Sequence, residues 1–352
     1  MKQPINQKAT KEAGELLRFL YKIKSKHILS GQHNYISSGA KYMEKVTELT
    51  GKTPLVWGGD FGYCYKGDNP EEYQHSGPIN LTDPAEDAEF TGITPEKGRK
   101  MLIEETMRRH HQGHIITLMW HSCFPPDQEY CDYSGIWTWD NRPDMEVWRK
   151  LTTPGSELFK KWQKGVDRIS SYLAILKEQK IPVLWRPYHE MNGTWFWWCD
   201  KKGKDGFARL WKQLYERMVD YHKLDNLIWV WNANAPRNIP GDEAYDYKAY
   251  FPGHDYVDIL AADVYKNDYK RSHHDQLLEL AQGKPISLAE VGELPNPEKL
   301  DSQQEWTWFM TWGNFIIDAN DEEKVKQVYE HERVLSLNDV AKNDNGEWML
   351  NQ

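Results

Sequence analysis

The chain has 352 residues, a net charge of −9 and a mean hydropathy of −0.81. That length suits one large domain with a sizeable core. No basic stripe offers itself to nucleic acid, and no apolar run reaches the ~20 residues that span a bilayer. The informative excess is aromatic: 17 Trp and 19 Tyr, many beside polar residues. A Trp-rich core accounts for a good part of them, but flat rings next to polar groups also suit ligand sites.

Residues 8–25 predict an amphipathic helix bearing Leu16, Leu17, Phe19 and Leu20. A first strand, His27 to Gly31, ends at Gln32-His33, and a helix near Lys41 to Leu49 follows. The second strand is Pro54 to Phe61. Cys64 to Thr91 is polar and without period; a loop this long is usually functional, and we expect it to wall a cleft. A helix over 95–112 leads to a third strand, His114 to Trp120, ending at His121-Ser122. A second long loop, Cys123 to Pro154, carries Trp137 and Trp139. Thr153-Pro154 predicts a helix start with Pro in the first turn, and Leu158, Trp162, Val166, Ile169, Leu173 and Leu176 mark its buried face.

The fourth strand, Ile181 to Trp185, runs into the polar and aromatic stretch from Arg186 to Trp198. A helix over 205–222 precedes the fifth strand, Leu227 to Trp231, which ends at Asn232-Ala233-Asn234. The sixth strand is Val257 to Tyr265, the seventh Pro285 to Gly292 and the eighth Thr307 to Gly313, with helices near 275–282 and 322–331. Eight strand–helix alternations predict an α/β fold, a (β/α)8 TIM barrel with long βα loops. We expect one catalytic domain over 1–352, with 1–25 packing on the barrel as a helix and 334–352 as a C-terminal tail. In this fold the active site sits at the strands' C-terminal ends. There the sequence places His33, Asp60, His121, Glu190, Asn232, Asp263, Tyr265, Glu290 and Trp312.

Glu190 and Glu290 end the fourth and seventh strands. Cleavage of a glycosidic bond needs two carboxyl groups flanking it. Strand alternation puts Ile286, Leu288 and Glu290 on one face. If Ile286 and Leu288 fill the barrel interior, Glu290 points into its mouth, where a lone carboxylate is costly. Other signals fade. His189-Glu190 opens like a zinc-protease motif, but position 193 is Gly. Gly58-Gly59-Asp60 is not a dinucleotide fingerprint, and His110 and His114 straddle a helix end and a strand start. No metal and no cofactor are expected. Cys64, Cys123, Cys131 and Cys199 form no CxxC pair; Cys123 and Cys131 flank a Pro-Pro loop that a disulfide can close, though spacing does not fix connectivity. Met1-Lys2-Gln3-Pro4 lacks an apolar signal core, which fits a cytoplasmic chain or one whose leader was removed.

Arg186-Pro187-Tyr188-His189-Glu190-Met191-Asn192-Gly193-Thr194-Trp195-Phe196-Trp197-Trp198 resembles the signature of glycoside hydrolase family 26, largely endo-β-1,4-mannanases. Ala289-Glu290-Val291-Gly292 resembles that family's nucleophile segment. The resemblance implies a retaining mechanism, with Glu190 as acid/base and Glu290 as nucleophile, their carboxyls roughly 5–5.5 Å apart. It implies that Tyr265 and Arg186 steady Glu290, that His189 supports the substrate and the acid/base, and that His121 contacts the sugar on the nucleophile side. Trp195 and Trp312 are the expected sugar platforms, with Trp197 and Trp198 more suited to the wall behind. Cys199 departs from the family's usual Gly. The implied substrates are mannan, glucomannan or galactomannan, met outside the cytoplasm by a secreted, cell-surface or periplasmic monomer. The alternatives are β-1,3-xylan or mixed-linkage β-glucan with the same mechanism, a catalytically dead carbohydrate-binding barrel, or a barrel aldolase or metal hydrolase. The last would need a strand-end lysine or a His/Asp metal cluster, and neither is evident in the sequence.

Overall fold

Eight parallel strands close on one another in chain order. In the computed structural model, which describes residues 3–35, 39–65, 74–76, 94–125 and 131–351, β1 is Ile28–Leu29 resumed at Gly31–His33. The rest are β2 Val56–Asp60, β3 Ile115–Trp120, β4 Val183–Pro187, β5 Leu227–Asn234, β6 Ile259–Val264, β7 Ile286–Val291 and β8 Trp306–Thr311. Each strand pairs with the next, and β8 returns to β1 through Thr311↔Gln32 and Leu29↔Trp308. This is the closed (β/α)8 barrel that the alternation predicts.

The helices are α1 Lys11–Ile23, α2 Lys41–Thr50, α3 Pro95–His111, α4 Met145–Thr152, α5 Glu157–Glu178, α6 Phe207–Tyr215, α7 Arg271–Ala281, α8 Pro297–Ser302, α9 Phe315–Asp318 and α10 Glu322–Glu330. α6 runs on as a π-helical turn, Glu216–Tyr221. Two boundaries differ from the sequence reading. The sequence predicts loop where α4 lies, yet the Asp144 carboxylate accepts from the Glu146 and Val147 N–H groups and starts a helix there. Thr153-Pro154-Gly155 then makes the turn, and α5 begins after the Ser156 cap, whose hydroxyl accepts from Phe159 N.

The interior divides into two cores. Between barrel and helices lie Val183, Trp185, Trp229, Trp231, Leu260, Ala262, Ile286 and Leu288, against faces such as Trp162, Leu173 and Leu277. Inside the barrel lie Val56, Ile115, Leu184, Ile228, Val230, Ile259, Ala261, Ala289 and Met310. α1 joins this inner cluster through Leu16, Leu17, Phe19, Leu20 and Ile23 and closes that end. Trp348, from the hairpin Val340–Lys342 with Trp348–Leu350, stacks on Phe19 with ring centroids 6.0 Å apart. No helix among the described residues is long and apolar enough to cross a membrane.

Of the Cys64 to Thr91 stretch, only residues up to 65 and 74–76 lie within the described residues. Tyr63–Tyr65 pairs antiparallel with Gln74–Ser76 and parallel with Cys131–Asp132. Cys123 and Cys131 form a disulfide.

Candidate active site

The site begins where β4 breaks. Tyr188 and Glu190 both adopt left-handed backbone, φ 49° and 54°, a conformation that costs an L-residue of order 1 kcal/mol or more and concentrates at functional sites. Neighbours hold it in place. Glu190 N donates to Asn232 O at 2.8 Å, and the Glu190 carbonyl accepts from Gly193 N and from Cys199 Sγ at 3.1 Å. Trp198 Nε1 donates to His189 O and Trp197 Nε1 to Ser122 O, both 2.7 Å. These two indoles are fully buried and form the wall behind the turn. Cys199 thus reaches the backbone of Glu190 itself.

The Glu190 side chain is 7% exposed. Oε1 accepts from Asn234 Nδ2 at 2.5 Å and Oε2 from Trp195 Nε1 at 2.7 Å. Burial first, then the charge on Glu290, pushes its carboxyl up to about 7, against the pull of Asn234, Arg237 and Trp195.

Glu290, 3% exposed, enters the same mouth by a route the alternation argument did not foresee. Ile286 and Leu288 pair with Leu260 and Ala262 and pack outward with them, so the premise that they fill the interior is wrong. The register then shifts: Ala262 faces Leu288, but Asp263 faces Glu290. The extra residue, Ala289, is a bulge that reverses the phase and re-aims Glu290 inward. There Glu290 Oε1 accepts from Arg186 Nη1 at 3.1 Å and Oε2 from the Tyr265 hydroxyl at 2.9 Å. His189 Nε2 lies 3.7 Å from Oε1. Burial prevails and raises the Glu290 carboxyl, against the pull of Arg186, His121 and Tyr265. Burial, then His121, Arg186 and His33, keeps His189 well below its ordinary range, hence neutral.

Asn232 ties the floor together: its Oδ1 accepts from Arg186 Nη1 at 2.5 Å and its Nδ2 donates to Asp263 Oδ1 at 2.8 Å. Burial, with Glu290 and Glu190 nearby, raises Asp263 far above the usual carboxylate range. His189, Asp263 and Glu290 bring ligand-type atoms within 4.8 Å of one another, a grouping not evident from sequence. Arg186 donates to Glu290 and to Asn232, and Asn232 donates to Asp263, so the two carboxyl groups share one hydrogen-bonded network with an internal cation, and His189 lies beside it.

His121 Nδ1 pairs with Asp60 Oδ2 at 2.6 Å. Burial works to raise Asp60, but His121 and the Gly62 N–H outweigh it and hold the carboxyl near about 2. The His121 ring stacks on Trp137 and meets His189 edge-on at 4.4 Å between centroids. Trp312, 7% exposed, stacks on His33 with centroids 3.9 Å apart. Trp195 is 5% exposed, and the Arg237 guanidinium lies 4.9 Å from its ring centroid. Trp139, 44% exposed, sits 6.5 Å from Trp195.

Glu290 thereby gathers Arg186, Tyr265 and His189, and Glu190 gathers Trp195, with His121 and Trp312 beside them. Asn234 and Arg237 are not among the residues the sequence brings to the site, and Asp60 stands there only as a rim residue without a role. Asn234 and Asp60 end barrel strands, the one signal sequence offered for them; Arg237 lies three residues beyond.

A barrel with one buried glutamate ending its fourth strand and another its seventh matches the class of glycosidases that work with a carboxyl pair. The chain belongs to glycosyl hydrolase family 26, whose model matches residues 82–339. A mannan endo-1,4-β-mannosidase of Thermothelomyces thermophilus is 32% identical over 95% of this chain and 62% of its own length. Mannan endo-1,4-β-mannosidase A of Piromyces sp. is 29% identical over 96% of this chain and 50% of its own. The chain thus spans only half to three-fifths of these curated relatives. Among solved structures, a GH26A from a Muricauda species is 44% identical with a TM-score of 0.82, covering 94% of this chain and 98% of that one. A GH26-CBM35 β-(1,4)-mannanase of Podospora anserina is 30% identical with a TM-score of 0.72, covering 95% and 68%.

Proposed function

We propose that this chain is a retaining endo-β-1,4-mannanase acting on mannan, glucomannan or galactomannan, working as one catalytic domain, as a monomer, outside the cytoplasm. The observation that carries it is the contrast between the two glutamates. Glu190 is buried among neutral donors and holds its proton near neutrality; Glu290 is gripped by a guanidinium and a phenol that favour its charge. Glu290 attacks the anomeric carbon as Glu190 gives its proton to the departing oxygen. The resulting glycosyl ester removes the charge on Glu290, which lowers the Glu190 carboxyl and readies it as a base. Glu190 then takes a proton from water, and the water oxygen displaces Glu290 with net retention. Neutral His189 and the His121–Asp60 pair are placed to meet sugar hydroxyls. Trp312 and the edge of Trp195 supply apolar surface for the C–H faces of the rings. Relatives named as mannan endo-1,4-β-mannosidases favour the β-1,4-mannosidic bond.

The test is a panel of mannan, glucomannan, galactomannan, β-1,3-xylan and mixed-linkage β-glucan, with anomeric products followed by NMR. The expected result is manno-oligosaccharides released first as the β-anomer. Activity confined to xylan or glucan would refute the substrate; an initial α-anomer would refute the mechanism.

A further inference from the structure

Arg237 stands just outside the catalytic groups, in the loop after β5, and it makes an unusual set of contacts. Its Nη1 donates to Asn234 Oδ1 at 2.6 Å. Its Nε donates to the Asp242 carbonyl at 2.9 Å and its Nη2 to the Asp242 carboxylate at 2.5 Å. Asp242 in turn is held from the other side by Lys266 Nζ at 2.7 Å. The planar guanidinium is thus fixed in orientation, with its carbon 4.9 Å from the Trp195 ring centroid.

The consequence falls on Asn234. An amide can present either oxygen or nitrogen to a neighbour, and its partners decide which. The Asn234 backbone is clamped on both sides by one side chain: Asn192 Oδ1 accepts from Asn234 N and Asn192 Nδ2 donates to Asn234 O, both at 2.8 Å. The backbone therefore fixes where the amide sits, but not which end faces Glu190. Arg237 has only hydrogens to offer, so it claims the oxygen and turns Nδ2 onto Glu190 Oε1. The other Glu190 oxygen is held by Trp195, whose ring Arg237 also covers.

We infer that Arg237 is a positioning residue for the acid/base: through the Asn234 amide and the Trp195 indole it sets the orientation of the Glu190 carboxyl and the side on which it accepts hydrogen bonds. This rests on the reading of Glu190 as acid/base given above. Without Arg237 the amide is free to flip and present its oxygen, which only a protonated Glu190 can satisfy. Loss of the nearby positive charge acts in the same direction. The other ionisable groups facing Glu190 are Glu290 on β7, Asp263 on β6, Tyr265 just after β6, Cys199 in the loop after β4 and adjacent His189. Arg237→Met also leaves the Asp242 carboxylate to Lys266 alone, so Arg237→Lys, which keeps a cation there, separates loss of charge from loss of the fork.

The experiment compares wild type, Arg237→Met, Arg237→Lys and Glu190→Ala on mannopentaose and on a dinitrophenyl β-mannobioside, whose leaving group departs without protonation. For Arg237→Met, kcat on mannopentaose should fall by about 10-fold, and the alkaline limb of its pH profile should move up by about half a unit or more. The dinitrophenol burst should stay within about twofold. Arg237→Lys keeps the charge but not the fork, so its limb should hold while kcat on mannopentaose falls by about threefold. Equal losses on both substrates, or an unmoved limb with kcat within about twofold of wild type, overturn the inference. If Arg237→Met does not fold, Arg237→Lys decides alone, and wild-type kcat on mannopentaose overturns it. Glu190→Ala separates the two ideas: if it does not slow mannopentaose far more than the dinitrophenyl substrate, the acid/base reading itself fails.

Discussion

At the scale of single residues, two glutamates of the same chemistry are pushed toward different tasks by what surrounds them. Burial raises both carboxyls; Glu190 meets neutral donors and the charge of Glu290, whereas Arg186, His121 and Tyr265 pull against the rise at Glu290. In the proposed mechanism the first step uses protonated Glu190, so activity should decline as pH rises through about 7. A pH profile of kcat/KM on manno-oligosaccharide checks this, and a rate flat to well beyond that point would contradict it. Glu290→Ala should lower hydrolysis by roughly 10⁴-fold or more, because a nucleophile cannot be replaced by positioning alone. Steady-state assays beside wild type read this directly, and an unaffected rate would remove Glu290 from the mechanism.

At the scale of elements, the bulge at Ala289 and the left-handed turn at Tyr188 and Glu190 do the aiming. Each departs from regular strand geometry, and each lies next to a candidate catalytic carboxyl. A different tie holds the N-terminal segment. The buried Asp258 carboxylate, just before β6, accepts from Ile5 N at 2.7 Å and Trp229 N at 2.9 Å. Asp258→Ala would leave both N–H groups without their acceptor. A loss of about 2–4 kcal/mol is expected from two unsatisfied donors, read by denaturant unfolding. A change under about 0.5 kcal/mol would show the clasp to be dispensable.

At the scale of the molecule, the barrel is sealed at one end by α1 and open for chemistry at the other. Leu16, Leu17, Leu20 and Ile23 are at most 2% exposed and join the barrel's own interior cluster. Each such side chain contributes about 1.5–3 kcal/mol, so together they rival the ~5–15 kcal/mol net stability of a typical domain. Deletion of residues 1–25 should therefore abolish cooperative unfolding, monitored by near-UV circular dichroism. A sharp transition at the wild-type temperature would show that the barrel stands without its plug.

The sequence alone determined the eight strand–helix alternations, because apolar period and strand-end polarity are local properties that survive without coordinates. It also marked Glu190 and Glu290 as the candidate pair, since glutamates ending apolar strands, with the long signature around Glu190, leave few other readings. Only the tertiary structure decided how Glu290 faces inward. A bulge is set by pairing with a neighbouring strand, and strict alternation along β7 gives the wrong interior face. The same holds for Asn234 and Arg237, which lie 44 and 47 positions after Glu190 in the chain. Their relation to it arises from β5 lying beside β4, a closeness that no local pattern encodes.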